Sequence, residues 1–156
     1  MLAVFSAIPY PAGRYPKMSS LFVVRERLHQ ASDLAAILDA AYDAFESMLP
    51  VLRAHKDPGD PLFGAVMIAA ASAADGRDVV LSAPSLPPHR LHRADAGERH
   101  DAVGAAAGLL ASLGELLAGR LDDAASIAPD PGDQAACQAA ARWARDIHAL
   151  LIGNAP

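Results

Sequence analysis

Apolar residues along this chain recur at steps of three and four nearly everywhere, the period that gathers side chains onto one side of an α-helix. In ASDLAAILDAAYDAFESMLPVLRAHKD, Leu34, Leu38, Ala41, Phe45, Met48 and Leu52 share one face, while Asp39, Asp43 and Glu46 fall nearly opposite. The pattern predicts a helix with a dry side and an acidic, solvated side. Ser32 or Asp33 can cap its start. Pro50 should bend its last turns, because a proline nitrogen has no hydrogen to give the preceding turn. The upstream SSLFVVRERLHQ reads either as a further helix or as a short extended arm, since Phe22-Val23-Val24 suits both.

A second helix is expected to open at DPLFGAVMIAAASAADG, with Asp60 as cap, Pro61 at the first helical position, and Leu62, Phe63, Val66, Met67 and Ala70 buried. It either stops at Gly76 or continues through RDVVLS, and continuation is favoured because Val80 and Leu81 return to the same side. Asp75, Arg77 and Asp78 lie inside it, so it is no bilayer span. The third helix runs from about Asp95 to Asp123 with an inner seam of Val103, Ala106, Leu110, Leu113, Leu117 and Leu121. Opposite that seam stand Ala105, Gly108, Ser112 and Gly119, where a solvated face would carry long charged side chains. This helix is therefore expected to touch neighbours on two sides, one of them a second copy of the protein. The fourth starts near Asp130 or Asp133, packs through Ala136, Ala140, Trp143, Ile147 and Leu150, and ends at Gly153. The fold class that follows is all-α: an up-down-up-down four-helix bundle, with an additional N-terminal helix or arm.

Composition narrows the function classes. The chain has 156 residues, the size of one ordinary domain, and a net charge of −5. With a pI near 5.6 it lacks the overall attraction to phosphate backbones or anionic lipid that basic proteins use, so neither nucleic acid nor membrane is an expected partner. Cys137 is the only cysteine, so no intrachain disulfide can form. In the absence of a convincing export signal this predicts a cytoplasmic protein. The opening MLAVFSAIPYPAGRYPK has no basic n-region, and Pro9, Pro11 and Pro16 break its apolar run. Residues 1–18 are expected to be a poorly ordered extension, with Met18 a candidate start, and 19–153 a single helical domain. The 36 alanines, two lysines and eleven arginines reflect GC-rich coding DNA as much as structure.

Candidate chemistry is sparse. The segment PPHRLHRADAGERHD at 87–101 holds His89, His92 and His100, which as ligand types could bind zinc, but their spacing matches no strong signature. Arg90, Arg93 and Arg99 are offset by Asp95, Glu98 and Asp101. Asp95 with Glu98 fits a helix entrance preceded by an exposed linker. Cys137 and His148, eleven residues apart, stand about 16 Å apart along a helix and cannot form a hydrogen-bonded dyad. Asp39, Asp43 and Glu46 lack the Glu-x-x-His partners of di-iron bundles and are expected to be solvated. In RWARDIH, Arg142 and His148 resemble the arginine and histidine spaced by four to six residues in HEPN-type ribonucleases, also helical bundles. The resemblance covers seven residues and implies an RNA-binding or RNA-cleaving role. Trp143 stands where that family commonly has a polar residue, and in a regular helix the two side chains diverge by about 120°.

No catalytic or cofactor-binding set emerges. The leading expectation is a non-enzymatic helical module that acts through protein contacts, self-associating as a homodimer or joining a larger assembly through Ala105, Gly108, Ser112 and Gly119. The alternatives are a small-ligand or metal-binding bundle, enzymatic or not, that uses the 87–101 segment with His89, His92, Arg93 and His100 at a pocket mouth, and the HEPN-like reading.

Overall fold

The structure, a computed structural model, describes residues 20–55, 57–88 and 103–153, with side chains placed from Leu21 and, in the last segment, from Ala106 onward. Five helices make up the regular structure of these residues: α1 (Ser20–Gln30), α2 (Leu34–Arg53), α3 (Phe63–Leu81), α4 (Val103–Ile127) and α5 (Pro131–Ile152). The fold is an all-α helical bundle, as the periodicity predicts. No helix among the described residues is long and apolar enough to cross a membrane.

Local signals set the helix ends. The Asp33 carboxylate accepts the Ala36 N–H and caps α2, and Asp130 accepts the Gly132 N–H ahead of Pro131, which takes the first position of α5. α2 continues through Pro50 to Arg53. α3 begins two residues later than its proline suggests. Asp60 spends its side chain on the Leu62 N–H, and the first helical residue is Phe63. Continuation past Gly76 holds, to Leu81. α4 runs four residues beyond Asp123, to Ile127, while its expected entrance at Asp95 and Glu98 lies outside the described residues.

The ambiguous upstream stretch is a helix. Leu21, Val24 and Leu28 of α1 are buried, and α1 lies over the seam between α2 and α4. That cover explains why α2 is dry nearly all round. Besides Leu38, Ala41, Phe45, Met48 and Leu52, the residues Ile37, Ala40, Ala44, Leu49 and Val51 are also buried. Asp39 and Asp43 are consequently not a free solvated face, because both pair with Arg27 of α1, and Glu46 pairs with Arg77 of α3 at 2.8 Å.

α2, α3, α5 and α4 form a closed ring in that order, each packed on the next, with α4 and α5 sharing the most extensive contact. The directions follow from marker contacts. Phe45 meets Gly76, Ser85 just past α3 meets Asp133 at the start of α5, His148 meets Ala111, and Arg120 reaches the end of α1. Every ring neighbour is therefore antiparallel, whereas α3 and α4 run in the same direction at opposite corners. This departs from the expected strict up-down-up-down order. A short connection obliges consecutive helices to turn back on each other, but the chain between Leu81 and Val103 is long enough to return along the whole bundle.

Two glycines permit close helix approach. A Cβ on Gly76 would stand 2.5 Å from the Phe45 ring, and one on Gly114 would stand 2.9 Å from the Ala144 carbonyl oxygen. Buried alanines flank these positions along both helices, Ala107, Ala111 and Ala118 in α4 and Ala140, Ala141 and Ala144 in α5. The alanine content thus has a structural use here, since small side chains let two backbones pack closely.

Candidate functional site

Two surface regions and one buried polar link remain once the core is assigned. The first region is the outer face of α4. Gly108 and Gly119 are exposed, Ser112 is half-buried, and a Cβ built on either glycine meets nothing within 4 Å among the described residues. Eleven residues separate the glycines, three helical turns or about 16 Å, so they share one face. Glu115 lies on that face between Ser112 and Gly119 and is exposed. Ala105 lies outside the residues whose side chains are described.

The second region is a groove of about 470 Å³ where α2 ends and α3 begins, lined by Leu52, Arg53, His55, Phe63, Met67, Ala70, Ala71 and Ala74. It corrects the inner stripe expected for α3. The residues that face the core are Val66, Ala69, Ser72, Ala73, Gly76 and Val80, whereas Met67 is 53% exposed and Ile68 56%. α3 is apolar on nearly every side, so spacing alone could not select which side is inner. Phe63, Met67, Ala70 and Ala74 form a second seam, at steps of four, three and four, that lines the groove instead.

The buried link joins the exit of α3 to the entrance of α5. Asp133 is fully buried; its carboxylate accepts the Ser85 N–H at 2.9 Å and the Ser85 hydroxyl at 2.6 Å. It also sits in the first turn of α5, where the helix dipole favours negative charge. Sequence reasoning identifies Asp133 only as a possible cap. Its partner is 48 residues away, and no local pattern could disclose it.

The remaining candidates can be placed one by one. Cys137 is buried, and burial, with a smaller contribution from the Asp133 charge, pushes its thiol up to about 11. It behaves as a small apolar side chain rather than a nucleophile. His148 points toward α4, with Nδ1 2.8 Å from the Ala111 carbonyl oxygen; since a carbonyl can only accept, the proton must reside on Nδ1. Arg142 is exposed on α5, so the structure directs the two residues of the HEPN-like pair to different surroundings. Trp143 and Leu150 are half-buried rather than core. Tyr42 of α2 is buried, and burial, aided by Glu46, holds its phenol above the ordinary range. His89, His92, Arg93 and His100 lie outside the described residues. Among the described residues no three His, Cys, Asp or Glu side chains gather as a metal site. No family model, curated protein or solved structure matches the chain.

Proposed function

We propose that the protein is a non-enzymatic helical module that self-associates through the outer face of α4. One observation carries this reading. A glycine inside a helix costs about 0.5–1 kcal/mol relative to alanine. Gly76 and Gly114 are required by Phe45 and by the backbone of α5, but a Cβ on Gly108 or Gly119 would meet nothing among the described residues. A second helix that approaches closely on that face would give both a use.

The face is also self-complementary. In an antiparallel pairing about a two-fold axis, the register that sets Gly108 against the partner's Gly119 also sets Ser112 against the partner's Glu115. A serine hydroxyl can donate to a carboxylate there, and the same pair is made twice. No charged side chain then faces its own like.

Light scattering at tens of micromolar should find a dimer. Gly108→Leu with Gly119→Leu should give a monomer with unchanged helical circular dichroism, because neither position is packed in the bundle. A wild-type monomer across that concentration range removes the proposal, and so does a dimer indifferent to both substitutions.

A further inference from the structure

We propose that the groove between the end of α2 and the start of α3 binds a small amphiphilic carboxylate, an acid with an apolar body of roughly eight to ten carbons. The site is independent of the α4 face.

The groove has a dry body and a cationic end. Leu52, Phe63, Met67, Ala70, Ala71 and Ala74 supply apolar walls, and its volume of about 470 Å³ lies within the range of small-molecule sites. Among the described residues that line the groove Arg53 is the one permanently charged side chain and none is a carboxylate, although the chain as a whole carries a net charge of −5. Among the described residues Arg53 has no ion pair or hydrogen bond, unlike Arg27, Arg77, Arg120 and Arg145, which each hold an acid.

His55 stands beside it. Its Nε2 is buried with no hydrogen-bond partner. Asp60 Oδ2 lies 3.5 Å away, beyond hydrogen-bond geometry, and that carboxylate already accepts the Leu62 N–H. With that carboxylate beside its buried nitrogen, His55 serves the groove as part of its wall, and Arg53 is the group left to meet an anionic head. The Arg53 guanidinium receives the head of the ligand, while the seam of α3 receives its tail. A neutral apolar molecule would leave Arg53 without a counterpart.

Titration calorimetry of the full chain with decanoate, kept below its micelle concentration, should give saturable one-to-one binding. Decan-1-ol, which keeps the tail and loses the charge, should bind at least tenfold more weakly. Arg53→Gln should weaken decanoate at least tenfold, whereas Arg142→Gln, which changes an exposed arginine away from the groove, should leave it unchanged. Ala71→Phe, at an exposed lining position, should block the tail without disturbing the core. The inference fails if decanoate shows no saturable binding up to millimolar, if decan-1-ol binds equally well, or if Arg142→Gln weakens binding as much as Arg53→Gln. Co-sedimentation of the protein with phosphatidylglycerol vesicles, lost in Arg53→Gln, would assign the groove to a membrane surface and overturn it as well.

Discussion

Replacing Asp133 with alanine tests whether the buried link between α3 and α5 secures the closure of the ring. The substitution removes two hydrogen bonds to a charged acceptor, from the Ser85 N–H and hydroxyl, each worth about 1.5–3 kcal/mol. It also removes a favourable charge in the first turn of α5, worth about 0.3–1 kcal/mol. Two effects oppose these losses. Ser85 is exposed enough for water to replace its partner, and deleting a fully buried carboxylate abolishes the cost of having desolvated it. The net expectation is a loss of about 2–3 kcal/mol, which for a chain of this size lowers the melting temperature by about 4–12 °C. Urea and thermal unfolding followed by circular dichroism measure it, and a double-mutant cycle with Ser85→Ala isolates the pair. A change below about 0.5 kcal/mol, or no coupling between Asp133 and Ser85, would refute the reasoning.

The close-packed glycines predict opposite kinds of rescue. Gly76→Ala should destabilise by about 1–3 kcal/mol and be partly restored by Phe45→Leu, since the obstruction is a side chain. Gly114→Ala should cost a similar amount with no restoring side-chain change, because it meets the Ala144 carbonyl and the His148 nitrogen; chemical denaturation of the single and double variants separates the two. Arg120→Met should loosen α1 selectively, by about 2 kcal/mol, because Arg120 donates to the Leu28 and Ala31 carbonyls where α1 ends; hydrogen exchange should rise in α1 before α4 or α5. The Cys137 thiol titrates ordinarily near 9.0 and in the folded chain at about 11, so the fold favours its neutral form. Its contribution is complete below pH 9 and is lost as pH rises from 9 toward 11, reaching about 2 kcal/mol at pH 10.5. The stability difference between wild type and Cys137→Ala should therefore shrink between pH 8 and 10.5, and a constant difference would contradict it.

What the sequence discloses divides along physical lines. The helices themselves are local objects, and the α2 stripe, the caps Asp33 and Asp130, and the continuation of α3 past Gly76 all follow from neighbours within one or two turns. The α4 seam from Leu110 to Leu121 is legible for the same reason, since leucines mark it against glycine and serine. Direction and order around the ring are not local. They depend on which faces meet, and α3, apolar on almost every side, does not encode which is inner, so its spacing predicts Met67 inside while the fold places it outside. The ties of Arg27 to Asp39 and Asp43, and of Arg120 to the end of α1, are equally hidden, because each partner alone reads as a solvated charge. The groove at Arg53 and His55 exists only because two helix ends meet.

The ring order bears on biosynthesis. α2 is flanked by α3, made directly after it, and by α4, which leaves the ribosome only after the whole intervening segment. Until then, one apolar flank of α2 is without its permanent neighbour, and α1 lacks the Arg120 side chain that holds its end. The nascent chain must therefore carry uncovered apolar faces through much of translation, and its yield in the cell should depend on holdase chaperones.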